Sequence, residues 1–347
     1  MKKQTTITLI SAMFRRSLLM YLVIGTFFMG SAQSPQANID QGNNGNLPNG
    51  IHNPVEWVNG NLNESQNHYI EGQSISYRAI LDRIKVGCVT KIRIAFDVRR
   101  NSHMAIDYLT SNDWPGPHQT VYGHPAEAVN PLLGLVGAYA PGAPFPLPAP
   151  GAFNTPVPGQ PTNSFNSLPA AMRDMDIWNG TISNIAWVIP PNYLEANAAF
   201  EAILEVTFTP SALPVVLSWG GHIASRIDWG FTAPGQPRSA GGISGSPYHM
   251  RLVEWTQYTK ESASGCPAEN ASIGSQDRSL QISAPPCQNI AGTITINMAN
   301  FEINNTIGLN IVPSGGFAPY TYLWSSSTPN VTLNDPTLQS PTATVVG

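Results

Sequence analysis

Alternation of apolar side chains with a mostly polar second set in two stretches of the chain limits the possible folds more than any other feature. The apolar positions are Ile75, Tyr77, Ala79 and Leu81 in the first stretch, and Ile92, Ile94, Phe96 and Val98 in the second. Side chains of a strand point alternately to the two faces of a sheet, whereas the apolar face of a helix repeats every three to four residues. The pattern therefore predicts antiparallel strands with one face against a core and a polar second face.

Other stretches of strand composition predict that most of the chain is β-structure. They cover residues 181–189, 202–209, 215–219, 250–258 and 279–282, and glycine and proline separate them. Only residues 104–109 and 193–200 have a helical character. Strands at this spacing are typical of a jelly-roll-like β-sandwich, so we expect an all-β head domain over residues 55–285.

A proline-rich segment interrupts this pattern between residues 125 and 169. Nine prolines lie from Pro141 to Pro169. Proline lacks the amide donor of a sheet ladder and has a fixed φ, so this segment cannot be a central strand. It predicts a long surface insertion with polyproline-like stretches.

The first residues predict export. Lysines and arginines at positions 2, 3, 15 and 16 precede an apolar run over residues 18–29 that ends in small residues, the pattern of a cleaved signal peptide covering residues 1–32. The run is shorter than the roughly 20 residues that span a bilayer, and no later segment is apolar enough to cross one. Residues 33–54, rich in Gln, Asn, Gly and Pro, predict a flexible linker.

Charge argues against one class of partner. Residues 1–32 hold four of the 17 Lys and Arg and none of the 21 Asp and Glu, so their removal leaves 13 cations against 21 anions and a formal charge of −8. Nucleic-acid binding depends on a cationic surface. We therefore expect no nucleic-acid partner.

The cysteines predict one disulfide. The chain has three of them, Cys88, Cys266 and Cys287. An exported protein with three cysteines forms at most one internal bridge and leaves one thiol over. We predict that Cys266 pairs with Cys287 and that Cys88 is a buried free thiol.

A second domain is predicted over residues 286–347. Its motif G-x-x-P-Y-x-Y-x-W, from Gly316 to Trp324, places Tyr320, Tyr322 and Trp324 on one face of a strand. This segment resembles a PKD-like or immunoglobulin-like repeat of bacterial surface proteins. The resemblance implies a β-sandwich stalk repeat with the tryptophan in its core. Because the sequence stops within a predicted strand, we expect a truncated repeat and a fragment of a longer protein.

The head region resembles the N-terminal module of large secreted adhesins of gliding Gram-negative bacteria. The resemblance rests on residues 60–63, 68–72, 107–110 and 178–181 and on the glycine-rich stretch 219–252. It implies display at the outer-membrane surface and adhesion, and no assigned chemistry.

The glycine-rich stretch 219–252 is the first place to expect a site or a tight corner. Its polar and aromatic candidates are His222, Arg226, Asp228, Trp229, Tyr248 and His249. In one interpretation Arg226, Asp228 and Arg238 form a buried ion pair that locks a corner of the sandwich. In the other, exposed rings stack on a sugar while nearby polar groups bind its hydroxyls. Trp229, Tyr248, Trp114 and Trp178 are the rings available for this.

Catalytic and metal motifs are incomplete. Residues 242–247 resemble the serine-protease motif G-D-S-G-G-P, but Ile243 and Ser246 replace two of its residues and no positioned base accompanies Ser244. His222, Asp228 and His249 could meet a metal with His103 or His118, yet no ligand spacing supports this. We expect no catalytic residue and no required cofactor. A loose calcium site at Asp174, Asp176 and Asn179 stays an alternative.

These features together predict a non-catalytic, secreted cell-surface adhesin or structural surface protein, with a head domain and the first stalk repeat. The alternative is a carbohydrate-binding or carbohydrate-active extracellular module. Its partner would be a glycan, whereas the adhesin would bind an extracellular surface.

Overall fold

A computed structural model describes most of the head region and parts of the remaining chain. The described residues are 36–47, 50–151, 157–193, 198–233, 236–243, 248–258, 266, 269–270, 276–280, 282, 291–296, 306–314, 322–326 and 329–346. The predicted signal peptide, Ser244 and Cys287 lie outside them, as do residues 315–321 of the repeat motif.

Most regular elements are strands. In chain order the strands are β1 (Gln36–Asn46), β2 (Gly50–Val58), β3 (Ser74–Asp82), β4 (Val89–Arg100), β5 (His103–Met104), β6 (Ile106–Thr110), β7 (Phe145–Pro146), β8 (Asp174–Trp178), β9 (Gly180–Ile189), β10 (Phe200–Pro210), β11 (Val215–Ile223), β12 (Phe231–Ala233), β13 (Gln236–Pro237), β14 (Tyr248–Tyr258), β15 (Glu269–Asn270), β16 (Gln276–Leu280), β17 (Ala291–Ile296), β18 (Thr306–Ser314), β19 (Val331–Leu333) and β20 (Thr342–Val345). The α-helices are α1 (His118–Tyr122), α2 (Thr162–Ser167) and α3 (Arg226–Trp229), with 3-10 turns at Ala170–Arg173 and Ala240–Gly242. No helix in the described part of the chain is long and apolar enough to cross a membrane.

The strands of the head form an antiparallel sandwich. Within the described residues, one seven-stranded sheet has the order β2-β1-β3-β11-β8-β7, with β6 on β11. The other has the order β15-β14-β4-β10-β9, with β16 on β14 and β5 on β4. Strands make up 50% of the structure and helices 9%, so the prediction of an all-β sandwich is confirmed.

The core lies between the two sheets, as the alternation predicts. All eight alternating apolar residues of β3 and β4 are 0% exposed, and they share one cluster with residues of β10, β11 and β14. Burying an aliphatic or aromatic side chain of this size contributes about 1.5–3 kcal/mol. These contacts are therefore the main source of stability of the head.

The second face of β3 differs from the prediction because it is also buried. Ser74, Ser76 and Arg78 are at most 5% exposed. The proline-rich insertion covers this face, since Arg78 Nη1 donates to the carbonyls of Pro131 and Leu133 at 2.8 Å each. The described part of the insertion is therefore held against the sheet by backbone acceptors.

The predicted flexible linker over residues 33–54 is wrong for its described part. Residues 36–46 form β1, which pairs with both β2 and β3. Ile39 lies in the core. Gln41 is 0% exposed, and its Nε2 donates to the carbonyls of Gly60 (2.6 Å) and Ser279 (3.0 Å). A composition of Asn and Gln suggests disorder only while these amides have no partners in the folded chain.

One of the two predicted helical segments is extended instead. Residues 103–104 and 106–110 are strands β5 and β6, and β6 pairs with β11. This sheet contact outweighs the weak local preference for a helix. In the other segment Tyr193 is not helical and Phe200 begins β10, while residues 194–197 lie outside the described part.

The predicted disulfide is also wrong, because the structure joins Cys88 to Cys266. Their Cα atoms are 5.7 Å apart. Cys88 directly precedes β4, and β4 pairs with β14 so that Val89 lies opposite Tyr258. The two cysteines therefore lie at the same end of two neighbouring strands. Their large separation in sequence gave no indication of this proximity.

The C-terminal region contains a smaller antiparallel sheet. Its strand order is β17-β18-β20-β19. Trp324 is half-buried, and its Nε1 donates to the carbonyl of Leu338 at 2.8 Å.

Candidate functional site

The glycine-rich stretch 219–252 forms one end of the sandwich. It runs from the end of β11 through α3 and the hairpin β12–β13 to the start of β14. Two buried carboxylates from elsewhere in the chain, Asp107 and Glu71, connect its parts.

Asp107 holds the first glycine-rich cluster together. It is 0% exposed, and its two carboxylate oxygens are 2.6 Å from His222 Nδ1 and 2.9 Å from Trp229 Nε1. Burial lowers the pKa of His222, but the charge and hydrogen bond of Asp107 outweigh burial and leave this pKa above its ordinary value. The imidazole also stacks on Tyr108, with ring centroids 4.1 Å apart.

Asp228 belongs to the same buried group. Its backbone amide donates to Ser225 Oγ (3.2 Å), which caps helix α3, and Ser225 Oγ donates to its Oδ2 at the same distance. Burial and the nearby charge of Asp107 raise the pKa of Asp228. Asp107, His222 and Asp228 place ligand atoms within 4.8 Å of one another. Both oxygens of Asp107 already accept hydrogen bonds, so this group acts as a structural network.

Glu71 joins the two glycine-rich clusters. Its Oε1 accepts from Ser239 Oγ and the Gly241 amide, each at 2.6 Å, and its Oε2 accepts from Arg226 Nε at 2.6 Å. The predicted ion pair among Arg226, Asp228 and Arg238 is therefore wrong, because Glu71 is the partner of Arg226. Arg238 Nε instead donates to the carbonyl of Phe231.

Two glycines of this stretch permit close packing of the backbone. A Cβ on Gly220 would lie 2.2 Å from the Ser111 carbonyl oxygen, and one on Gly242 would lie 2.4 Å from the Pro237 carbonyl oxygen. Real Cβ atoms do not approach backbone this closely, so these positions require glycine. The glycines thus serve a tight corner.

The rings predicted to stack on a sugar are not exposed at this corner. Trp229 is 0% exposed and Tyr248 is 1% exposed. His249 follows Tyr248 on β14 but is only half-buried, and its Nδ1 is 2.8 Å from Asp277 Oδ1. The stretch therefore offers no stacking surface at Trp229 or Tyr248.

The three calcium candidates do not converge as ligands. Asn179 Oδ1 accepts from the Ala140 amide (2.9 Å), while its Nδ2 donates to the carbonyls of Ala138 and Pro214. Asp174 and Asp176 lie two residues apart on β8. Burial, with the charges of Asp113 and Asp174, raises the pKa of Asp176 to about 6. Asn179 therefore anchors the insertion.

A second cluster, which sequence reasoning missed, lies where the insertion begins. His68, His118, His124 and Glu127 place ligand atoms within 4.8 Å of one another. Glu127 Oε1 is 3.2 Å from His68 Nε2, 3.6 Å from His118 Nε2 and 3.6 Å from His124 Nδ1. Of this set, only His118 was a metal candidate, and with the wrong partners. The spacing of His124 and Glu127, three residues apart, was the local signal.

Hydrogen bonds orient each imidazole of this cluster. His68 Nδ1 is 2.7 Å from the Gly45 carbonyl, His118 Nδ1 is 3.2 Å from Gln73 Oε1, and His124 Nδ1 is 2.9 Å from the Pro125 carbonyl. These oxygens only accept, so each Nδ1 carries a proton, which leaves Nε2 as the nitrogen able to bind a metal when the ring is neutral. His68 Nε2 is within hydrogen-bond distance of the Glu127 carboxylate, at 3.2 Å. The Nε2 atoms of His118 and His124 are buried without a hydrogen-bond partner.

Electrostatics keep the carboxylate of this cluster ionised. Burial raises the pKa of Glu127, but the neighbouring His118 and His68 side chains outweigh burial and bring it to about 2. Asn44 Nδ2 donates to the other oxygen, Oε2, at 3.4 Å.

Comparison of the sequence with models of known protein families, and with curated protein sequences, finds no match.

Proposed function

We propose that this chain is a secreted, non-catalytic surface protein of the adhesin type, consisting of a β-sandwich head and the first PKD-like stalk repeat. The observation that carries the proposal is the Cys88–Cys266 disulfide. Such bonds persist in oxidising compartments outside the cytoplasm. This agrees with the predicted signal peptide and with display at the outer-membrane surface.

The position of the disulfide suits a head that is pulled through its stalk. Cys266 lies between β14 and β15, on the path from the sandwich to the C-terminal sheet. Tension on the C-terminal side would peel β16 and β15 from β14 first. The covalent link to Cys88 would then stop the unravelling before β14, which pairs with β4 in the middle of its sheet.

Closure of the corner at residues 219–252 supports a structural role for it. Its carboxylates Asp107 and Glu71 are engaged with side chains and amides of the corner itself. A general acid or base needs a position beside a substrate. A rigid corner instead suits a load-bearing head.

Surface labelling of intact producing cells tests the proposal. Antibodies against the head are expected to label cells without permeabilisation, and deletion of the coding sequence is expected to reduce attachment to surfaces. Labelling that appears only after permeabilisation, or unchanged attachment of the deletion strain, would contradict the proposal.

A carbohydrate-binding module is the second proposal, and one observation favours it. The half-buried Trp114 lines a small pocket together with Asn112, Asp113 and Ser74; the pocket has room for only about one water, so a sugar would have to lie against the accessible part of the ring. An aromatic ring beside polar groups is a common arrangement for a sugar. A glycan array with the mature chain tests it. Binding that Trp114→Ala abolishes would support this function, and no binding above background would exclude it.

A further inference from the structure

We propose that His68, His118, His124 and Glu127 bind one divalent transition-metal ion, for which zinc is the best match. The inference goes beyond surface display, and either can hold without the other. It rests on the donor set, on the distances among the donors and on the unpartnered nitrogens.

The donor set selects the class of ion. Three imidazoles and one carboxylate are typical ligands of zinc and of neighbouring first-row metals, whereas calcium takes six to eight oxygens. The cluster is therefore a site of a different kind from the calcium site predicted at Asp174, Asp176 and Asn179.

The distances fit ligands around one ion. Bonds of 2.0–2.1 Å at tetrahedral angles place neighbouring ligand atoms roughly 3.3 Å apart. The separations from Glu127 Oε1 to the Nε2 atoms of His68 and His118 are 3.2 and 3.6 Å, and a ring nitrogen of His124 lies within 4.8 Å of the other three ligand atoms. Small side-chain rotations would bring all four donors to one centre.

The unpartnered nitrogens are a second, independent indication. His118 is 0% exposed, yet its Nε2 has no hydrogen-bond partner, and neither does the buried Nε2 of His124. Burying a polar atom without a partner destabilises the folded chain.

The hydrogen bonds of the three imidazoles to other groups are those expected of metal ligands. Ligating imidazoles usually donate their other N–H to a carbonyl or carboxylate, which fixes the ring. Here Gly45, Gln73 and Pro125 supply the acceptors for the three rings. The other cluster, Asp107, His222 and Asp228, differs because both carboxylate oxygens of Asp107 already accept hydrogen bonds from His222 and Trp229.

Four protein ligands indicate a structural ion. Catalytic zinc keeps an open position for water, whereas structural sites are closed by four side chains. The ligands come from the loop after β2 (His68), from α1 (His118), from the turn after it (His124) and from the insertion (Glu127). The ion would therefore fasten the start of the insertion to the loop between β2 and β3.

Metal analysis of the mature chain, purified without a histidine tag, tests the proposal. After removal of metals with a chelator, zinc is added back and the unbound ion is dialysed away. We expect about one zinc per chain, and visible absorption bands of tetrahedral cobalt when Co²⁺ replaces zinc. Binding of none of Zn²⁺, Co²⁺, Ni²⁺ or Cu²⁺ would overturn the proposal.

Matched variants assign the site. Glu127→Gln keeps the shape of the side chain and is expected to weaken zinc binding roughly 100-fold or more. Gln73→Ala leaves all four ligands in place and should weaken it roughly 10- to 100-fold. His249→Gln alters a histidine outside the cluster and should leave the zinc affinity unchanged. Full zinc affinity in Glu127→Gln would overturn the assignment.

Thermal melting distinguishes loss of zinc binding from failure of a variant to fold. His124 is the most exposed ligand, with 27% of its side chain accessible, so His124→Ala is the variant expected to disturb packing least. Zinc at 100 times its Kd should raise the folded-to-unfolded ratio of the wild-type chain about 100-fold. The melting midpoint of His124→Ala should respond much less. An equal zinc response of both chains would contradict the proposal.

Discussion

Removing the Cys88–Cys266 bridge should destabilise the head strongly. The bridge closes a loop with a sequence separation of 178 residues. Loop-closure entropy for a loop of this size corresponds to about 5 kcal/mol of stability, an upper value because denatured chains are not fully extended. The physical cause is that the bridge restricts the unfolded chain far more than the folded one, in which β4 and β14 already lie side by side.

Urea unfolding of three proteins measures this effect. The variants are Cys266→Ala, which breaks the bridge, and Cys287→Ala, which leaves it intact. With a slope of about 3 kcal/mol per molar urea, the midpoint of Cys266→Ala should fall by about 1.7 M. The midpoint of Cys287→Ala should match that of the wild type.

Peptide mapping under non-reducing conditions provides the control. It should yield one cross-linked peptide pair containing Cys88 and Cys266. A peptide pair containing Cys266 and Cys287, or equal loss of stability in the two variants, would refute the reasoning.

Three further changes test the corner and the neighbouring strand. Gly220→Ala should lower the free energy of unfolding in urea by about 1–3 kcal/mol because its Cβ would clash with backbone. Gly60→Ala should be nearly neutral because a Cβ there has nothing within 4 Å, and equal effects of the two variants would contradict the close-packing argument. Asp107→Asn should cost about 3–5 kcal/mol because it removes the charge partner of the buried His222, and an unchanged midpoint would show that the pair is not formed. Asp176 has a folded pKa of about 6, above the ordinary value of 3.8 for an aspartate, so its ionisation penalises the folded state at pH 8 and the penalty disappears as the pH falls to about 4. Asp176→Asn should therefore stabilise the chain by about 1 kcal/mol at pH 8, after allowance for solvent screening at this half-buried group, and not at pH 4; a pH-independent effect would refute this.

The local sequence pattern was sufficient to predict strands whose apolar side chains alternate along one segment of the chain. The alternation at 75–81 and 92–98 identifies β3 and β4, since a period of two allows only one assignment of faces. It did not predict that Arg78 is buried, because that depends on a distant proline-rich segment folding over the sheet. For the same reason β1 was mistaken for a linker, since its amide side chains find their partners in residues 60 and 279.

For the stretch 219–252, too, the sequence indicated the region but not the residues that contact it. Its glycines, rings and charges predict a site or a tight corner, and the structure has a tight corner there. Their partners, Asp107 and Glu71, lie more than 100 residues earlier in the chain, and no local spacing points to them. Composition could not distinguish a sugar platform from a locked corner, because the two use the same residue types and differ in burial.

The sequence by itself determined the β-sandwich class of the head, because the hydrophobic period is a local property of the chain. Only the tertiary structure decided which cysteines are neighbours and which histidines meet Glu127. Strand pairing brings together residues that are far apart in sequence, and the geometry of those meetings is set by the whole sheet. The four-residue cluster of His68, His118, His124 and Glu127 exists only once the loop after β2 and the start of the insertion are folded against each other.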